Sequence, residues 1–227
     1  SPTLITQDIT VYLDANGQAS ISSSDIDNGS TDNCGISNYE LDITSFDCAN
    51  LGENTVALTV TDISGNSRMQ TAVVTVIDNS SPTLITQDIT VHLDANGQAS
   101  ISSADIDNGS TDNCGISNYG LDITSFDCSN LGENTVTLTA MDNNGNSSMQ
   151  TAVVTILDNI PPNIVTQDMT VYLDTNGQAS ITPSDIDNGS SDNCGSSSYE
   201  LDITSFDCSN IGENTVTLTV TDISGNS

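Results

Sequence analysis

Asn54-Thr-Val-Ala-Leu-Thr-Val-Thr61 alternates polar and apolar residues, with Val56, Leu58 and Val60 on one side and threonines on the other. Successive side chains of an extended chain point to opposite faces, so this period of two predicts a half-buried β-strand. Met69–Ile77 reads the same way and follows the turn residues Asp62-Ile-Ser-Gly-Asn66. Ile36–Ile43 predicts another strand. Ile9–Leu13 and Gln18–Ser22 both alternate and flank Asp14-Ala-Asn-Gly17, a combination that predicts a hairpin. Two polar segments, Ser23–Gly35 and Thr44–Gly52, interrupt these stretches, and no segment shows a helical period. Short strands separated by turn signals predict an all-β fold, an immunoglobulin-like antiparallel β-sandwich.

The whole pattern then recurs. Ser1–Thr10 returns verbatim at Ser81–Thr90 and in a variant form at Pro161–Thr170, a period of 80 residues. Residues 1–80 and 81–160 align without a gap at 67 identical positions. Solenoid repeats of about 20–50 residues need their neighbours to bury a core, whereas a unit of this length can own one. The expected organisation is therefore three tandem modules, 1–80, 81–160 and 161–227, the last stopping before its closing strand. A fragment of a longer array explains that stop; the rival is a closing strand supplied by a neighbouring subunit. The linkers Asp78-Asn-Ser-Ser-Pro82 and Asp158-Asn-Ile-Pro-Pro162 are short and proline-bearing, which restricts tumbling between modules. Each module is expected to advance the chain by about 35–40 Å, given strands rising about 3.3 Å per residue.

Charge narrows the functional classes. There are 31 acidic residues and one basic residue, Arg68, for a formal charge of −30. A nucleic-acid partner is excluded, because binding a polyanion requires Lys or Arg to displace counterions. An anionic membrane surface is disfavoured on the same ground, and no stretch approaches the roughly 20 apolar residues that a spanning helix needs. Self-repulsion of this size opposes a compact state unless cations neutralise part of it.

The acids are concentrated in particular turns. Asp25-Ile-Asp-Asn-Gly-Ser-Thr-Asp-Asn-Cys-Gly35 supplies Asp25, Asp27, Asn28 and Asp32 as candidate ligands. Its copies supply Asp105, Asp107, Asn108 and Asp112, then Asp185, Asp187, Asn188 and Asp192. The second turn adds Asp62 and Asn66, Asp142 and Asn146, Asp222 and Asn226. Carboxylates, amides and carbonyls at high density are what Ca2+ takes, with six to eight oxygens in flexible geometry. An EF-hand is excluded by the missing twelfth-position glutamate. In a sandwich of this topology both turns lie at the N-terminal end of a module, where the preceding linker arrives. Asp78 and Asn79 are therefore expected to join Asp105, Asp107, Asp112, Asp142 and Asn146 around calcium. Asp158 and Asn159 would do the same with Asp185, Asp187, Asp192, Asp222 and Asn226, stiffening both junctions. The competing expectation is that these side chains cap their own turns by hydrogen bonds.

Cysteines fall at Cys34/Cys48, Cys114/Cys128 and Cys194/Cys208, two per module at constant separation. The spacing predicts one disulfide inside each module, worth about 3 kcal/mol for a loop of about 15 residues. Such bonds place the chain outside the reducing cytosol. Zinc is disfavoured, since His92 is the sole histidine and there is no Cys-x-x-Cys pair. The same lack of a histidine in every module rules out a repeated Ser/His/Asp arrangement, so no catalytic residues are assigned.

An ordered set of motifs points to a family. Thr31-Asp-Asn-Cys-Gly35, Val56–Asn66 and Val73-Val-Thr-Val-Ile-Asp78 before Ser81-Pro82 resemble the hyalin-repeat (HYR) family of immunoglobulin-like modules. Ser45-Phe-Asp-Cys48 followed by Gly52-Glu-Asn-Thr-Val56 looks like repeats of large Bacteroidota surface adhesins and gliding-type filament proteins. The closing stretch Met69–Ile77 has no cysteine, unlike many hyalin repeats, so that family's disulfide pattern does not transfer. The resemblance implies a non-enzymatic, extracellular stalk or adhesive filament of a bacterial cell surface. Its partners would be neighbouring repeats or like subunits, surface glycans or other cells. The alternatives are a calcium-dependent glycan-binding array and a spacer in a secreted multidomain enzyme.

Overall fold

The alternating segment around Leu58 and the one after the Asp62–Asn66 turn each form an eleven-residue strand. The computed structural model describes residues 1–227. In the first copy the order is β1 (Ile9–Tyr12), β2 (Gln18–Ser20), α1 (Ser23–Ile26), β3 (Ile36–Leu41), β4 (Ser45–Asp47), β5 (Gly52–Asp62) and β6 (Ser67–Ile77). One sheet runs β1-β6-β5-β3, and β2 pairs with β4 in a second. Leu13, Ile21, Ile26 and Phe46 meet Val56, Leu58, Val60, Ala72, Val74 and Val76 in one apolar interior. Two sheets closing on a shared core make each copy a β-sandwich.

The β5–β6 hairpin is antiparallel, with Val56 opposite Ala72 and Val60 opposite Arg68. The expected β1–β2 hairpin does not form. Its turn is present: the Asp14 N–H donates to the Gln18 carbonyl at 2.8 Å, and Gly17 takes a φ of +72°. The two strands nevertheless part into different sheets. β1 lies parallel to β6, with Ile9 opposite Val74, while β2 lies antiparallel to β4. β6 is long and places Val74 and Val76 in the core, so its outer edge needs a partner more than the three-residue β2 does. This pair is the one parallel element in a sheet otherwise paired as expected.

The polar segment Ser23–Gly35 is more ordered than its composition implies. It contains α1, buries Ile26 completely, and is pinned to the N-terminal segment by bridges Thr3–Thr31 and Thr6–Asp27.

The second copy repeats these elements as β7 (Ile89–His92), β8 (Gln98–Ser100), α2 (Ser103–Ile106), β9 (Ile116–Leu121), β10 (Ser125–Asp127), β11 (Gly132–Asp142) and β12 (Ser147–Leu157). Its strand order is again β7-β12-β11-β9, with β8 beside β10. The third comprises β13 (Gln178–Ser180), α3 (Pro183–Ile186), β14 (Ser196–Leu201), β15 (Ser205–Asp207) and β16 (Leu218–Asp222). It has no counterpart of β1 or β6, and its core is Ile181, Ile186, Phe206, Leu218 and Val220.

By compactness the chain divides into two units. One comprises Ser1–Thr86, Asp107–Gly120 and Leu138–Gln150; the other comprises Gln87–Ile106, Leu121–Thr137 and Thr151–Ser227. Each unit contains one whole linker together with the loops that meet it.

Candidate metal centre

In the first unit, Asp78 follows β6 at the start of the linker, Asp142 ends β11, and Asp112 lies in the Asp-Asn-Cys-Gly turn before β9. One carboxylate oxygen from each lies within 4.8 Å of the others. Asp158, Asp192 and Asp222 make the same cluster in the second unit. Asp78 and Asp142 are only 3% and 2% exposed. Three neighbouring carboxylates, two of them buried, repel strongly unless a cation or protons intervene.

The hydrogen bonds divide the Asp78 and Asp112 carboxylates into a used and an unused side, whereas both oxygens of Asp142 accept hydrogen bonds. Asp78 Oδ1 accepts from the Ser80 N–H at 3.0 Å and from Asn113 Nδ2 at 3.1 Å. The other Asp112 oxygen accepts from the Cys114 N–H at 2.9 Å. Asp78 Oδ2, Asp112 Oδ2 and Asn113 Oδ1 are buried without a partner. The second unit leaves Asp158 Oδ2, Asp192 Oδ1 and Asn193 Oδ1 in the same condition. A buried polar atom left unpaired costs about 1–3 kcal/mol, and more when charged. All of these orphans are acceptors, and the carboxylates among them belong to the clusters that could hold a metal ion. Hard oxygen donors of mixed carboxylate and amide type fit Ca2+.

Burial pulls the Asp142 carboxyl upward, but the Asn146 amide and the N–H groups of Asn144 and Asn146 hold it below the usual value. Asp222 is balanced in the same way by Asn226 and Ser224. In the first copy the Ser1 ammonium stands 3.8 Å from both Asp32 and Asp62. The Asn66 amide and neighbouring N–H groups keep Asp62 below its ordinary range as well.

The expected junction sets are therefore assembled in part. Asp112, Asp142 and Asn146 do gather at Asp78, whose carbonyl accepts from Asn146 Nδ2 at 3.1 Å. Asp192, Asp222 and Asn226 gather at Asp158. Asp25, Asp105 and Asp185 stand elsewhere, each accepting at 2.7 Å from the N–H and hydroxyl of Ser22, Ser102 or Thr182. Asp27, Asp107 and Asp187 take the N–H of Ser30, Ser110 and Ser190. Those six acids are occupied as turn and helix caps, which is the competing expectation for them. Asn28, Asn108, Asn188, Asn79 and Asn159 are exposed. Asn113 and Asn193, amides of the same acidic loops, prove central: each amide nitrogen bridges the linker aspartate and the Asp14 or Asp94 carbonyl. The signal for them was their fixed place between the aspartate and the cysteine.

The disulfides overturn the expectation of bonds inside each module. Cys48 bonds to Cys114 and Cys128 to Cys194, each across a separation of 66 residues, while Cys34 and Cys208 are free and exposed. Asp47 explains the geometry. Its carboxylate accepts from the Ala49 N–H at 2.8 Å and caps a short 3-10 turn, Cys48–Asn50. That turn delivers the Cys48 sulfur to the Gly17 bend, 3.4 Å from the Asn113 carbonyl. Cys34 lies in the loop beside Asp32, at the end of the copy that Ser1 approaches. The fit at the bonded end is tight: a Cβ on Gly17 would lie 2.7 Å from the Cys48 sulfur and 2.8 Å from the Asn113 oxygen.

No protein-family model matches the chain, and no curated protein matches it. Among solved structures it is similar to protocadherin gamma B7 extracellular cadherin domains 1–4, at 13% identity and a TM-score of 0.34. That alignment covers 100% of this chain and 68% of the other. The protocadherin gammaB4 extracellular domain aligns at 17% identity and a TM-score of 0.36, over 74% of this chain and 34% of its own. Human protocadherin-24 EC1-2 aligns at 12% identity and 0.37, over 70% and 99%. The chain thus spans about a third of the gammaB4 structure's length. Scores this low carry no argument about function.

Proposed function

We propose that this chain is a non-enzymatic extracellular segment, a stalk or adhesive filament of a bacterial surface protein in which calcium stiffens each junction. The observation that carries the proposal is the trio of buried, unpartnered acceptors, Asp78 Oδ2, Asp112 Oδ2 and Asn113 Oδ1, reproduced around Asp158. What the sequence repeats is a joint rather than a reactive group: acidic turns, a linker aspartate and a cysteine bonded to the next copy. Disulfides support a compartment outside the cytosol. The bacterial setting rests on the motif resemblance to hyalin repeats. Near-identical copies serve reach and avidity better than they serve a unique binding tip. The partners on this reading are further repeats or like subunits, with glycans or other cells bound along the array.

Calorimetric titration of the chelated protein with Ca2+ tests the reading. Two ions per chain are expected, one per cluster. Asp112→Asn should reduce the count to one, while Asp32→Asn should leave it at two. Small-angle scattering should show a narrower distribution of dimensions with Ca2+ than with a chelator. Absence of binding heat, together with a melting temperature indifferent to chelation, overturns it.

A further inference from the structure

The disulfide and the carboxylate cluster share one short turn. Asp112, Asn113 and Cys114 are consecutive, and the Cys114 N–H donates to Asp112 Oδ1 at 2.9 Å. Cys114 is bonded to Cys48, whose sulfur lies 3.4 Å from the Asn113 carbonyl oxygen and 3.8 Å from that of Gly17. The side chain of Asn113 donates to Asp78 Oδ1 at 3.1 Å and to the Asp14 carbonyl at 3.2 Å. One residue therefore touches both the sulfur bridge and the cluster.

The bend Leu13–Gly17 closes the circuit. The Leu13 N–H donates to the carbonyl of Ile77, the residue before Asp78, at 2.9 Å. The bend thus holds the linker aspartate at one end and meets the Cys48 sulfur at Gly17. Cutting the sulfur bridge removes the covalent pin between this bend and the turn that bears Asp112. The turn does not need that pin to form: Cys34, a free thiol, gives its N–H to Asp32 at the same 2.9 Å. What the bond fixes is the placement of the turn against Asp78, whose Oδ2 is buried without a partner. The second unit repeats the circuit, with Cys194 on Asp192 at 2.7 Å, Cys128 beside the Asn193 carbonyl at 3.4 Å, and Asn193 on Asp158 at 3.1 Å.

We propose that the two bonds of each joint are coupled: closing the disulfide raises the affinity of the cluster for Ca2+, and bound Ca2+ protects the disulfide. The inference rests on the calcium reading above and adds its regulation. Closure joins two thiols in one disulfide and passes two electrons and two protons to a disulfide-bearing oxidant, which leaves as a dithiol. Preorganisation supplies the coupling. A turn already pinned to the linker loses less freedom when an ion draws the carboxylates together. Linkage then requires the reverse effect by the same factor. In a reducing compartment the joint stays open and weak for calcium, and it stiffens only in an oxidising one.

The test is calorimetric titration of the full chain with Ca2+, first oxidised and then under a phosphine reductant, with circular dichroism to verify that the sheets persist. Reduction should weaken binding by about tenfold. Cys48→Ser should weaken one of the two sites and spare the other, and Cys128→Ser should do the converse. A reciprocal arm follows each bridge by alkylation and mass mapping at equilibrium with dithiothreitol. Ca2+ should shift both bridges toward the disulfide by the factor that reduction costs in binding. Asp112→Asn should abolish that shift for Cys48–Cys114 and keep it for Cys128–Cys194. Equal affinity in oxidised and reduced protein overturns the coupling while the calcium reading stands; binding in neither state overturns both. A shift reproduced by sodium chloride at equal ionic strength overturns the coupling in favour of charge screening.

Discussion

Thr31–Gly35 and Thr111–Gly115 carry the same five residues, yet they do different things. In the first, Asp32 and Asp62 face the Ser1 ammonium and Cys34 is free. In the second, Asp112 and Asp142 face Asp78, and Cys114 is bonded to Cys48. The loop itself holds neither a metal site nor a disulfide. It gains a carboxylate cluster and a disulfide when a preceding copy brings a linker carboxylate and a sulfur to it. The joint is thus a property of repetition, in which each copy supplies half of two bonds.

Removing the sulfur half should have the largest effect. In the chain-entropy model a loop of 66 residues corresponds to about 4 kcal/mol, against about 3 for the shorter loop expected from spacing. Cys48→Ser or Cys128→Ser should each lower unfolding free energy by about 2–4 kcal/mol. Cys34→Ser should stay within about 0.5 kcal/mol, as an exposed substitution with no bond to lose. Mass mapping of the unreduced protein provides the sharper check: peptides joining Cys34 to Cys48 would refute the pairing.

Crowding at the joint comes next. Gly97 has a φ of +71°, and a Cβ there would lie 2.6 Å from the Cys128 sulfur. Gly109 has a φ of +90° but open space around it. Alanine at either position strains the backbone by about 1–3 kcal/mol. Gly97→Ala alone should also push Asn193 away and weaken Ca2+ binding in the second unit. Equal calcium affinities in the two variants would separate the glycine contact from the metal centre.

Much of this was legible in the residues themselves. Val56, Leu58 and Val60 announced their strand and its buried face, because period two is a local property. The crowded acids announced an oxygen-rich cluster, and the linker aspartates Asp78 and Asp158 do stand in one. What could not be read was anything set by a neighbour beyond the local segment. Cys48 and Cys34 are close in sequence, but the capped turn at Asp47 sends one sulfur toward the next copy. β1 and β2 share a turn, but β6 competes for β1 and wins. Asp25, Asp27 and Asp32 look alike as letters. The serines at 22 and 30 satisfy the first two, whereas Asp32 is left facing the end of the module.

The capping acids provide the mildest contrast, and chelation isolates it from the metal. The Ser102 hydroxyl and N–H hold the Asp105 carboxyl below its usual range, as the Thr182 hydroxyl and N–H do for Asp185. The Thr137 N–H does the same for Asp122. A carboxyl whose folded pKa is depressed contributes stability above its unfolded pKa, near 3.9, and loses it as pH falls through the folded value. With chelator present, the melting temperature should therefore be flat from about pH 7 to 5 and fall below about pH 4. Asp105→Ala should lower it at neutral pH by about 2–4 °C, the shift expected for roughly 1 kcal/mol in a chain of this size, and should flatten the acid limb. If Asp105→Ala keeps the wild-type acid limb, the caps are not what titrates, and acid sensitivity in this chain belongs to the joints.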